Sequence, residues 1–237
     1  MSSSSLLRQL PNALTLGNAV AGVLAVMLCV DAVLQGDLAG GLQRAFALIA
    51  LGVLCDTLDG PLARALKANN PLGAQLDSLC DGATFGVATA LIIAIALWTL
   101  SPVLAAVLAA LWASAVLLRL ARFNLDTDTT TAHFFFTGMC SPVASLFVVA
   151  ALAATVGTGL FPWLPLLLAS LLPALMLSRI VFADLPKHYL ARRRAPWDLL
   201  VAAMALFFID TAAAVFAFLL WFLLQSLWLH LRGKPSQ

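Results

Sequence analysis

The sequence predicts an all-α integral membrane protein, a polytopic bundle of about eight spanning helices, and three observations carry that prediction. Hydrophobic residues make up 62% of the 237-residue chain and charged residues 10%, a balance suited to lipid rather than water as solvent. Apolar runs that reach or approach the roughly 20 residues needed to cross a bilayer core recur along nearly the whole chain. Lys and Arg gather at alternate ends of those runs, as they do in cytoplasmic loops. The chain reads as a single membrane domain over 1–237, and a formal charge of +2 gives no electrostatic footprint for nucleic acid.

The spans fall at 12–34, 41–66, 73–98, 101–123, 137–157, 160–181, 196–210 and 212–231. The first is too long for the apolar part of a signal peptide, and no small-residue cleavage site follows it. The last two are separated at Asp210 and Thr211, because one helix from Pro196 to Leu231 would run roughly 50 Å through a core of about 30 Å. With Arg8 on the cytoplasmic side, this count puts Arg64, Lys67, Arg119, Arg122, Arg179, Lys187, Arg192, Arg193, Arg194, Arg232 and Lys234 there too. Both termini are then cytoplasmic, and Arg44 is the exception. Cys29, Cys55, Cys80 and Cys140 show no CxxC spacing, so neither a disulfide framework nor a zinc site is expected. His133 with Phe134, Phe135 and Phe136 reads as a membrane-surface loop entering a helix.

The chemistry lies in the segment Cys55-Asp56-Thr57-Leu58-Asp59-Gly60-Pro61-Leu62-Ala63-Arg64, at the cytoplasmic end of the second span, and in Asp77 and Asp81 at the start of the third. An aspartate near a helix centre costs roughly 2.5–3.5 kcal/mol to insert, so four of them need partners. Residues three and four apart share a helix face, which projects Asp56 with Asp59 and Asp77 with Asp81. Two antiparallel neighbours can then converge four carboxylates, and one or two divalent cations with oxygen preference, Mg2+ or Mn2+, would neutralise them. Gly60, Gly73 and Gly82 leave room for a ligand, and Arg64 offers a planar fork for phosphate oxygens. Substitution at phosphorus is the implied chemistry, with a carboxylate free to take a proton from an incoming hydroxyl.

Asp56, Asp59, Gly60, Ala63, Arg64, Gly73, Asp77 and Asp81 fit D-x2-D-G-x2-A-R-x8-G-x3-D-x3-D without a gap. That pattern resembles the signature of the CDP-alcohol phosphatidyltransferases. The resemblance implies a six-helix core, here with about two peripheral helices, a cytoplasm-facing site and a homodimer. It implies Asp56, Asp59 and Asp77 as metal ligands, and Asp81 as general base and fourth metal contact. Asp59, Gly60 and Arg64 become CDP contacts, with Asn12 and Thr15 as nucleotide neighbours.

Three further segments, Leu10 to Asn18, Asp77 to Ala88 and Arg119 to Asn124, resemble the small integral-membrane phosphatidylserine synthases, which condense CDP-diacylglycerol with L-serine to phosphatidylserine and CMP. Thr89 and Cys140 depart from that pattern, each standing where a proline is usual. A zwitterionic amino acid needs a cation for its carboxylate, and Arg119 and Arg122 are the candidates for acceptor binding. Glycerol phosphate or inositol phosphate as acceptor stays open, and facing aspartates also suit a cation transporter, which would leave Gly60 and Arg64 without a task.

Overall fold

In the computed structural model the described residues are 9–68, 71–126, 135–158, 163–178 and 181–183. They form six helices, α1 (Leu10–Gln35), α2 (Leu38–Ala65), α3 (Pro71–Leu97), α4 (Pro102–Asp126), α5 (Ser141–Thr158) and α6 (Trp163–Leu177). A two-stranded antiparallel ribbon joins β1 (Phe135–Thr137) to β2 (Val181–Ala183). The first four helices are long and apolar enough to cross a membrane, while α5 and α6 are shorter apolar helices. The architecture is thus helical with six helices among the described residues. The expected spans at 196–210 and 212–231 lie outside those residues, as does Arg8.

The helices begin and end close to where hydropathy puts them, with two corrections. Residues 137–140 belong to the ribbon and its exit rather than to a helix, and α6 stops at Leu177 instead of continuing to 181. Gly138, at φ 82°, makes the turn out of β1, and the Met139 N–H then bonds the Leu175 carbonyl at the end of α6.

Small residues let α1 lie tight on α2. Its buried stripe, Thr15, Asn18, Ala21, Gly22, Ala25, Cys29 and Ala32, repeats every three to four residues, and Gly41 of α2 abuts Ala32. A two-residue connection enforces the antiparallel pairing: Gly36, at φ 74°, ends α1, and the Asp37 side chain accepts from Gly40 N at 3.1 Å to cap α2. Asp37 also pairs with Arg44 at 3.6 Å. The one basic residue on the wrong side of the expected topology therefore has an anionic neighbour.

The third helix is not α-helical throughout. Gly82–Ala88 forms a π-helical segment between Pro71–Asp81 and Thr89–Leu97. At its end Thr89 N–H still reaches back five residues to the Thr84 carbonyl, so a return to four-residue spacing at the next residue passes over the carbonyl of Phe85. Trp112 of α4 donates to that carbonyl from Nε1 at 2.9 Å, and Ser145 of α5 from Oγ at 3.0 Å. Thr89, in place of the proline expected by resemblance, adds a hydroxyl bond to Thr84 O at 3.1 Å. Trp112→Phe should lower stability by about 1–3 kcal/mol, since it removes a buried donor. Thermal unfolding in detergent reads this out, and an unchanged midpoint would deny Trp112 the role.

Packing around this segment forms the core. Trp112, Phe85, Phe147, Leu42, Ile49, Ile92 and Ile93 are fully buried where α2, α3, α4 and α5 meet. Large side chains such as Leu34, Val103 and Leu125 point outward and are exposed, as lipid-facing residues of a spanning bundle are.

Candidate active site

Successive helices run in opposite directions, so the C-terminal ends of α2 and α4 share one end of the bundle with the N-terminal ends of α1, α3 and α5. A set of polar side chains collects there: Thr15 and Asn18 on α1, Asp56 and Asp59 on α2, Asp77 and Asp81 on α3, Arg119 on α4 and Ser141 on α5. Hydrophobic packing alone would not select those positions. Four carboxylates and an arginine at one end of an apolar bundle mark a polar site in an otherwise lipid-suited protein.

Asp56, Asp59 and Asp77 each direct a carboxylate oxygen to a common region, with the three oxygens all within 4.8 Å of one another. Asp59 is buried, and Asp56 and Asp77 are half-buried. Hard oxygen donors at this spacing fit a divalent cation of the Mg2+ or Mn2+ kind and offer nothing to a soft one. Asp81 is buried, and its carboxyl meets that of Asp56 within hydrogen-bonding reach. The i, i+3 and i, i+4 spacings thus bring all four acids together.

Two carboxylates are held from α1. Thr15 Oγ1 lies 2.7 Å from Asp59 Oδ2 and 3.0 Å from the Pro11 carbonyl, and Asn18 Nδ2 donates to Asp81 Oδ1 at 3.0 Å. Asn12, half-buried, sits three residues before Thr15 on the same face of the helix. Pro61 lies inside α2 between the acids and Arg64, where its missing N–H leaves the Thr57 carbonyl without its helical donor. Gly60 is partly open: a Cβ there would first meet Arg64 Nη1 at 3.5 Å, so the exposed Arg64 guanidinium folds back over the glycine.

The two arginines of α4 part company. Arg119 is half-buried, donates from Nη1 to Ser141 Oγ at 3.0 Å, lies within electrostatic reach of Asp56, and keeps an Nε–H that no described residue accepts. Arg122 is exposed and donates from Nη1 to the Leu177 carbonyl at 3.4 Å, at the C-terminal end of α6. Sequence reasoning passed over Asn18, Ser141 and the donors to Phe85. Asn18 alone had a signal: it lies three residues after Thr15, on the face that carries the small-residue stripe.

Comparison with known proteins identifies the family. The sequence profile described as CDP-alcohol phosphatidyltransferase matches residues 8–171, a span that holds all four aspartates, Arg64, Arg119 and Ser141. The chain belongs to the CDP-alcohol phosphatidyltransferase family.

Its relatives in that family are informative. A CDP-diacylglycerol–serine O-phosphatidyltransferase of Mycobacterium bovis is 31% identical, over 95% of this chain and 77% of the relative. The enzyme of the same name from Bacillus subtilis is 32% identical, over 76% of this chain and 92% of the relative. An archaetidylserine synthase of Methanothermobacter thermautotrophicus is 32% identical, over 61% of this chain and 65% of the relative. With four helices suited to spanning and this family assignment, the chain is an integral membrane protein.

Proposed function

We propose that this phosphatidyltransferase moves a phosphatidyl group from CDP-diacylglycerol to the hydroxyl of L-serine, giving phosphatidylserine and CMP. The convergence of Asp56, Asp59, Asp77 and Asp81 at one end of the bundle is the observation that carries the reaction class. Serine as acceptor rests on the word common to the relatives' names and on Arg119, whose guanidinium suits the amino acid's carboxylate.

Asp56, Asp59 and Asp77 would hold a divalent cation, Mg2+ or Mn2+, with Asp81 as a further contact. When bound, that cation offsets the carboxylate charge and polarises the diphosphate of the donor. Asp59, Gly60 and Arg64 bind the CDP moiety, with Asn12 and Thr15 lining it from α1. Asp81 accepts the proton of the serine hydroxyl as its oxygen bonds to the β-phosphorus and the bond to the CMP oxygen breaks. Displacement is direct, so no phosphatidyl group is carried on the protein. Arg119 orients the acceptor. Arg122, tied to α6, contributes more remotely by fixing the helix end beside it.

The chain forms one membrane domain, with the acid-bearing end of its helices in the cytoplasm. The site faces that compartment, and the protein works as a homodimer. Purified protein with CDP-diacylglycerol and Mn2+ should release CMP with L-serine at least about tenfold faster than with glycerol phosphate or inositol phosphate, a margin of about 1.4 kcal/mol. Faster release with either phosphorylated acceptor keeps the family chemistry and discards serine. Metal flux into liposomes without CMP release would instead favour a transporter.

A further inference from the structure

We propose that Asn18 is a positioning residue for the transfer reaction, locking the carboxylate of Asp81 in register from a notch that three helices build for it. The inference rests on Asp81 being the base that receives the acceptor's proton. Asn18 is 1% exposed, deep for a primary amide in a bundle facing lipid. Its Nδ2 donates to Asp81 Oδ1 at 3.0 Å, while its Oδ1 is buried without a hydrogen-bond partner among the described residues. An amide reversed about its last bond would set Oδ1 against the carboxylate and leave the Nδ2 protons facing carbon, so the orientation is determined by Asp81. An unsatisfied amide oxygen in the core is a cost that calls for an explanation, and the bond to Asp81 supplies it.

The notch around Asn18 leaves little freedom. A Cβ on Gly52 of α2 would stand 2.8 Å from Asn18 Oδ1 and 3.4 Å from Thr84 Cγ2, so only glycine admits the amide, and its Cα–H faces the orphaned oxygen. Thr84, in the π-helical segment of α3, donates from Oγ1 to the Asn18 carbonyl at 2.9 Å. Thr84 in turn fills the space over Gly22, where a Cβ would come 2.8 Å from its hydroxyl. Asn18 is therefore fixed to α2 through Gly52 and to α3 through Thr84, three residues beyond the aspartate it holds. With Thr15 on Asp59, α1 clamps one acid from each of the two neighbouring helices.

Asn18→Leu keeps the bulk and removes the amide. With the full-length protein in detergent and Mn2+, kcat for serine-dependent CMP release should fall by about 100-fold. KM for CDP-diacylglycerol and Mn2+-dependent binding of CDP without acceptor should stay within threefold, written as about 0.65 kcal/mol. Gly52→Ala, which touches no acid, should show the same split because its methyl displaces the amide. In an Asp81→Asn background, Asn18→Leu should add less than about threefold, since the residue it positions is already gone. A kcat for Asn18→Leu within threefold of the parent, or loss of CDP binding in step with kcat, overturns the inference. If Asp81→Asn itself keeps the parental rate, the base assignment fails first and separately.

Discussion

Asp81→Asn should lower serine-dependent CMP release by about 10²- to 10⁴-fold, the range a positioned general base supplies. The amide is isosteric and its oxygen can still accept from Asn18 Nδ2, so the geometry is kept while the capacity to take a proton is lost and the contact to the cation is weakened. The substitution should also stabilise the protein. Asp81 is buried against Asp56, and two carboxyls in contact in a low dielectric repel unless a proton or cation lies between them. An amide at position 81 donates to Asp56 instead. Activity and stability therefore move in opposite directions, as they do where a site holds strain for function. Initial rates of CMP release and thermal midpoints in EDTA are the two measurements. A variant that loses activity together with its midpoint would show that Asp81 holds the fold rather than the proton.

The parts of this molecule legible in the sequence are those that depend on local spacing. Hydropathy places α1 to α4 within a few residues, because a span must fill the bilayer and little else interrupts an apolar run. The aspartates converge as their spacing requires, since i, i+3 and i, i+4 positions share a face whatever surrounds them. Features that depend on distant partners were not legible. The π-helical segment is held by Trp112 and Ser145 donating to the Phe85 carbonyl from 27 and 60 residues away, and no local pattern encodes that. Arg119 and Arg122 read alike because both lie at one helix end, and they part only because α6 ends beside Arg122. The strands escape for another reason. Three residues in each are too few to show an alternation, and their pairing is non-local.

Chelation should abolish CMP release completely, and Mn2+ or Mg2+ should restore it. Three carboxylate oxygens within 4.8 Å of one another set the expectation. At an effective dielectric of about 20, a pair of unit charges at such a separation repels by about 3–4 kcal/mol, and this cluster contains three such pairs. A divalent cation reverses the sign of that energy. Since it binds the folded site far better than the unfolded chain, it should also raise the thermal midpoint, by about 2.7 kcal/mol of stability at a hundred times its dissociation constant. Replacing Asp56 and Asp77 together by asparagine separates the two effects. The double variant should be inactive with or without added metal, yet should melt above the parent in EDTA and show no further gain with Mn2+. Removing two of the three acids takes away both the repulsion and the ligand set. Parental activity in protein that elemental analysis shows to be free of divalent metal would defeat the cation assignment. A double variant that still gains stability with Mn2+ would move the metal away from these aspartates while leaving the reaction class intact.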